Sequence, residues 1–124
     1  MINRKVKITH EEALERAKEI VGKMTLLEKA EQLTYNAPAN ERLNIPRYNW
    51  WNEGLHGVAR AGTATVFPQA IGLAAIFDDE FLEKVADVVS TEARAKYNEF
   101  SKNDDRDIYK GITLWSPNVN IFRD

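Results

Sequence analysis

The sequence predicts an α/β fold in which βα units build a parallel sheet, and three observations predict it. Helical and strand-like patterns alternate along the chain, only two or three such units fit, and the length of 124 residues allows one ordinary domain or part of one. A parallel sheet has to be covered on both faces. So small a set of units should therefore leave an unpaired apolar edge if the chain stands alone, and self-association through that edge is one expected consequence.

The elements are taken in chain order. Thr9-His10-Glu11-Glu12 has the form of a capping box, in which a hydroxyl and a carboxylate satisfy orphan backbone donors. Ala13, Leu14, Ala17, Ile20 and Val21 then recur at helical spacing, so residues 10–23 should be a helix. Thr25-Leu26-Leu27-Glu28 repeats the start signal. Leu26, Leu27, Ala30 and Leu33 extend a second amphipathic turn set until Asn36-Ala37-Pro38 stops it. A short strand is expected from Tyr48 to Trp51, and then a loop. Val66 to Phe77 is apolar but broken by Pro68 and Gly72, which suits a buried strand with a bend better than a helix. Asp78 or Asp79 can cap a helix reaching about Phe100, with Phe81, Leu82, Val85, Val88, Val89, Ala93 and Ala95 on one broad face. Ser101 to Asp107 reads as a polar turn, Ile112 to Trp115 as a strand, and Ser116-Pro117-Asn118 as its end. There is no internal repeat or low-complexity tract.

Composition removes several classes of function. Seventeen basic and nineteen acidic residues give a net charge of −2, leaving no basic excess to neutralise a nucleic-acid backbone or an anionic membrane. With no cysteine there is no disulfide framework, thiolate nucleophile or thiolate zinc site. The first twenty residues lack the apolar core of a signal peptide, and no run approaches the ~20 apolar residues of a membrane span. A cytoplasmic location is the default expectation, although a removed leader in a secreted parent protein would leave the same trace.

Trp50-Trp51-Asn52-Glu53-Gly54-Leu55-His56-Gly57 is the most informative stretch, since two indoles, an amide, a carboxylate and an imidazole meet at a strand end. Aromatic faces beside carboxylates suit sugars, which present apolar C–H faces and a rim of hydroxyls, but a Trp pair can equally fill a core. Glu53 is either a hydroxyl-binding carboxylate or a solvated loop charge. His56 is either a base or a structural histidine that orients a loop. His10, in the first turn of an amphipathic helix, reads as surface. The two histidines are far apart, no acidic cluster has ligand spacing, and Lys102 to Asp107 lacks the Gly and terminal Glu of a calcium loop, so no metal site is expected. Glu83, Lys84, Glu92 and Lys96 read most simply as the wet face of the long helix.

Four stretches together carry a family resemblance: Met24 to Leu33, Tyr48 to Ala59, Phe67 to Ala74, and Leu114 to Asp124. In order and spacing, from about residue 9 to the end, the chain resembles the bacterial β-xylosidase and β-glucosidase branch of glycoside hydrolase family 3. The resemblance implies that residues 1–124 are the N-terminal part of a TIM-type (β/α)8 barrel, a fold of roughly 250 residues, with the remaining barrel and a second domain absent. It implies a retaining, exo-acting β-glycosidase without metal or organic cofactor, releasing xylose or glucose from β-linked xylo- or gluco-oligosaccharides of plant origin. Retention needs a nucleophile and an acid/base carboxylate about 5 to 5.5 Å apart.

By the same resemblance Glu53 accepts hydrogen bonds from sugar hydroxyls in the innermost subsite, with Trp51 beside it and Trp115 lining the pocket. Glu after a Trp, as in Trp51-Asn52-Glu53, is the xylosidase-like variant, and a longer carboxylate beside a large ring leaves less room for the hydroxymethyl group of glucose. The nucleophile and the acid/base of the family have no counterpart here, and Arg123 is not the arginine expected to touch sugar. No catalytic residue is therefore assigned, and the fragment alone should be inactive. The rival expectation is a structural or interaction fragment that oligomerises through an open sheet edge.

Overall fold

The computed structural model describes residues 8–116. The expected end of the last strand beyond Ser116 and the stretch through Asn120 and Arg123 lie outside the described residues. The order of elements is α1 (His10–Lys23), α2 (Leu26–Glu31), β1 (Asn36–Ala37), a 3-10 turn (Glu41–Leu43), β2 (Tyr48–Asn49), α3 (Ala70–Ala74) and α4 (Asp79–Ser101). The described residues thus form a small mixed fold of helices and one two-stranded sheet.

Both N-terminal helices are started by reciprocal capping boxes. The Thr9 hydroxyl accepts from the Glu12 N–H at 3.1 Å while the Glu12 carboxylate accepts from the Thr9 N–H at 2.7 Å; Thr25 and Glu28 repeat the pair at 3.2 and 2.7 Å. Neither helix contains a buried residue. Leu26, Leu27 and Leu33 stand open to solvent, Leu33 at 88% exposure. One side chain ties the two helices to the 3-10 turn: the Arg42 guanidinium grips Glu28 with two bonds, at 2.6 and 3.1 Å, and reaches the Lys23 carbonyl at 3.0 Å.

The sheet differs from the parallel one expected. β1 and β2 pair antiparallel, with Asn36 opposite Asn49 and Ala37 opposite Tyr48. The connection is pinched shut by Asn40 and Ile45, which exchange backbone bonds at 2.8 and 2.9 Å, while Asn44 takes the left-handed conformation. The strand expected over Tyr48 to Trp51 thus stops at Asn49, and the helix-stopping Asn36-Ala37 supplies its partner.

Two further expectations are corrected. Val66 to Phe77 is not a buried strand: residues 70–74 are helical, and of that helix only Leu73 is buried. Pro68 does not break this helix because it lies ahead of the N-cap, Gln69, where no intrahelical N–H is needed. The apolar side chains around it face solvent, Phe77 at 96% exposure. The strand expected over Ile112 to Trp115 shrinks to an isolated parallel bridge between Trp115 and Glu53. Among the described residues the amides of 111–113 are taken by the Asn52 and Tyr48 side chains rather than by a backbone ladder, so no strand extends there.

α4 organises the core. The Asp78 carboxylate caps it by accepting from the Phe81 N–H at 2.9 Å, and Val85, Val89 and Ala93, four residues apart, form its buried line. Phe81 and Val88, expected on the same face, remain exposed. With Ala37, Ala61 and Leu73 the core is small, and three asparagines, Asn40, Asn49 and Asn52, are buried beside it. Gly54 is where the chain before α4 meets the chain after it. A Cβ there would come within 2.9 Å of Leu114 and 3.3 Å of Val89.

Candidate functional site

The Trp51 to Glu53 segment and the Trp115 segment run side by side in the same direction, with α4 in the connection between them. The Trp115 N–H donates to the Asn52 carbonyl at 2.9 Å, and the Glu53 and Trp115 backbones form the bridge. Extended chain alternates its side chains, so Asn52 and Gly54 turn inward and are buried, while Trp51, Glu53 and Leu55 share the other face. The indoles of Trp51 and Trp115 meet there, 4.7 Å between centroids at a tilt of 42°. Tyr35 packs edge-on against Trp51 at 6.1 Å. Both indoles stay partly open, 36% exposed at Trp51 and 48% at Trp115, which leaves aromatic surface for a ligand.

Glu53 also opens onto a cleft of about 390 Å³, whose walls include Leu55, His56, Arg60, Thr63 and Val66. Trp51 and Trp115 are not among its lining residues. The site therefore has two sides that meet at Glu53: an indole pair and a loop cavity.

His56 holds the cavity's wall. Its Nδ1 lies 2.9 Å from the Phe67 carbonyl, so the proton sits on Nδ1, and the Phe67 N–H returns a bond to the His56 carbonyl at 2.8 Å. That is the loop-orienting role. Gly57 next to it has φ +129°, and a Cβ would run into the Thr65 carbonyl oxygen, so only glycine fits. The rest of the loop is fixed from α4. The Glu92 carboxylate accepts from the Thr65 hydroxyl at 2.7 Å and from its N–H at 3.0 Å, while Lys96 donates to the Thr63 carbonyl at 2.8 Å. Those bonds from Thr65 hold the Glu92 carboxyl below the usual carboxylate range, with Lys96 adding to the effect. Glu92 and Lys96, expected to be merely wetted, are loop anchors.

Two residues of the motif stretch with no role assigned from the sequence, Asn52 and Tyr48, hold the segment before Trp115. Asn52, 1% exposed, donates from Nδ2 to the Asn49 carbonyl at 2.9 Å and accepts the Gly111 N–H at Oδ1 at 2.8 Å. The Tyr48 hydroxyl oxygen lies 2.9 Å from the amide nitrogens of both Ile112 and Thr113 and 2.9 Å from the Thr113 hydroxyl. The available signal was an inward-facing amide between two outward-facing residues.

At the far end of α4 the charged turn is self-paired. Lys110 meets Asp105 at 2.6 Å and lowers its carboxyl, and Arg106 bonds Asp104 and packs over Tyr97. Among the described residues no group of three or more His, Asp or Glu side chains could hold a metal ion, and no helix is long and apolar enough to cross a membrane.

No family model matches the chain. Among curated proteins it is 44% identical over 114 residues to a xylan 1,4-β-xylosidase of Xylanibacter ruminicola, covering 90% of this chain and 13% of that protein. It is 44% identical over 122 residues to an exo-1,4-β-xylosidase of Emericella nidulans, at 90% and 15% coverage, and 46% identical over 119 residues to β-D-xylosidase 3 of Arabidopsis thaliana, at 88% and 14%. The chain thus spans 13 to 15% of the length of these curated relatives.

Proposed function

We propose that this chain is the N-terminal part of the barrel domain of a retaining, exo-acting β-glycosidase of the glycoside hydrolase family 3 type, and that Glu53, Trp51 and Trp115 bind its sugar. The observation that carries the reading is the parallel bridge between Glu53 and Trp115, which sets a carboxylate-bearing residue and two partly open indoles on one strand pair. A carboxylate accepts from pyranose hydroxyls while indole faces cover the apolar C–H face. Parallel segments joined through a helix are the unit of a βα barrel, whose sites collect at the C-terminal ends of strands, and the parallel bridge between Glu53 and Trp115 with α4 in the connection agrees with such a unit. Relatives named as xylosidases support a β-linked xylo-oligosaccharide as substrate over a gluco-oligosaccharide.

The test is calorimetric titration of xylose, the product that is not turned over, into the full-length product of the gene that encodes this chain, with and without Glu53→Ala. Loss of hydrogen bonds to a charged acceptor should weaken binding roughly 10- to 100-fold. An unchanged affinity in the folded variant would remove Glu53 from the site. The 124-residue chain by itself should not turn over a chromogenic β-xyloside, because both reacting carboxylates of the mechanism lie outside it.

The rival expectation, an interaction fragment that oligomerises through an open sheet edge, is not favoured by relatives named as xylosidases, although the exposed Leu26, Leu27, Leu33 and Phe77 leave apolar surface through which the isolated chain could associate. Size-exclusion chromatography decides it. An oligomer supports that reading, and a stable monomer across concentrations overturns it.

A further inference from the structure

We infer that Tyr48 and Asn52 are positioning residues for the two-indole face: they fix the register of segment 111–115 against segment 48–53 and so decide whether Trp115 meets Trp51. Among the described residues the segment carrying Trp115 has one isolated bridge, whose single backbone bond is too little to secure a register. A slip of one residue would turn the Trp115 ring to the opposite face. What prevents the slip comes from side chains. The Tyr48 oxygen takes the Ile112 and Thr113 N–H groups, both at 2.9 Å, and with its acceptor sites used in this way its own proton goes to the Thr113 hydroxyl. Asn52 takes the Gly111 N–H while its amide nitrogen is anchored to Asn49. Three consecutive amides, 111 to 113, are thereby held by two side chains that project from the segment carrying Trp51.

Gly111 completes the arrangement. A Cβ there would sit 2.5 Å from the Asn52 amide nitrogen and 2.8 Å from the Tyr48 oxygen, so any side chain pushes the clamp apart. The other edge of the same segment is fixed as well, since the Trp51 carbonyl accepts the Tyr109 N–H at 3.0 Å. Trp51 is thus held from the side of Tyr109 and Trp115 from the clamp, and the 4.7 Å contact between their rings is the result.

The experiment reads the ring pair directly. Two indoles this close and tilted couple their electronic transitions and give an exciton couplet in far-ultraviolet circular dichroism, which Trp51→Phe abolishes as a reference. Tyr48→Phe keeps the aromatic ring that packs against Trp50 at 4.9 Å and removes only the hydroxyl. It should cut the couplet to less than half while leaving the helical signal intact, and Gly111→Ala should do the same. In the full-length gene product Tyr48→Phe should raise KM for xylobiose about fivefold with kcat unchanged, since loss of one positioned stacking partner is a binding effect. A full couplet in folded Tyr48→Phe overturns the inference. So does loss of couplet and helix together, which would mean that the hydroxyl holds the fold at large. The KM arm rests on the sugar-binding reading, and the couplet does not. If unmodified protein shows the couplet but takes no xylobiose, that reading falls while a couplet lost in Tyr48→Phe still upholds the positioning role.

Discussion

The two ends of the described chain are stabilised in opposite ways. α1 and α2 are specified mainly locally: each opens with its own capping box, α1 pairs its charges at helical spacing, and neither buries a residue. The half that carries the site is specified at long range. Loop 57–65 is anchored by α4, Trp115 by the Asn52 carbonyl, and segment 111–113 by the Asn52 and Tyr48 side chains, with few regular elements between them. Local rules thus produce well-formed helices that lack a core, while the site's geometry depends on buried polar contacts that no local rule announces. Disturbing one contact should therefore have large effects in the second region and small ones in the first.

The largest effect is expected at Gly57. Its φ of +129° is closed to side-chain-bearing residues, and the space for a Cβ is already taken by the Thr65 carbonyl. Gly57→Ala should cost roughly 2 to 4 kcal/mol through backbone strain and overpacking together. Urea unfolding monitored by tryptophan fluorescence measures it. A loss below about 0.5 kcal/mol, within the range of a neutral surface change, would mean that the loop is not held against residue 65.

Glu92 comes next. Replacing it with Gln removes the charge that two Thr65 donors share, and we expect a loss of about 1 kcal/mol together with faster hydrogen exchange at the Thr65 amide. The pH dependence has a definite sign. The folded-state pKa of Glu92 is depressed, so its contribution is complete above the ordinary carboxylate value and disappears as pH falls through the lowered one. The protection factor at the Thr65 amide, with the intrinsic base-catalysed rate divided out, should therefore fall on acidification in the wild type and stay flat in Glu92→Gln. Equal slopes in the two proteins would show that Glu92 does not govern the loop.

The same contrast explains which parts were legible in the sequence. α1 and the start of α2 were readable because Thr9 with Glu12 and Thr25 with Glu28 encode helix starts within four residues. α4 was readable for the same reason, from Asp78 to the Val85, Val89 and Ala93 line. The segments around Glu53 and Trp115 were picked out, and the structure brings them together, but the sheet was misjudged. Pairing depends on what lies opposite, and β1 forms from two residues whose pattern reads as a helix stop. Residues 66–77 went wrong for a different cause: Pro68 and Gly72 look like breakers, yet one precedes the helix and the other has room, with its nearest foreign atom at 3.4 Å from a Cβ. The roles of Tyr48, Asn52 and Glu92 could not be read at all, since each acts on a backbone group far away in sequence.

The smallest effect on overall stability, and the sharpest test of the contrast, belongs to Glu28. The Arg42 guanidinium and the Thr25 N–H pull its carboxyl down to about 2 from the ordinary carboxylate value. The group's contribution is therefore present above the unfolded-state value and is lost only as pH falls toward about 2. Because the Arg42 side chain is more than half exposed and Glu28 is only partly covered, salt screens the pair and little global stability is at stake. Between the two pH values the junction of α2 with the 3-10 turn should stay closed while unpaired carboxylates elsewhere are already protonated. Carboxyl-resolved NMR titration of the chain checks this, with Arg42→Gln moving Glu28 up toward the ordinary range while the Thr25 N–H still holds it partly down. If that variant also disturbs the indole couplet of Trp51 and Trp115, the two regions are coupled and the division drawn between them is wrong. If the couplet is untouched, the helical end adjusts independently of the site, as expected of elements that bury nothing against it.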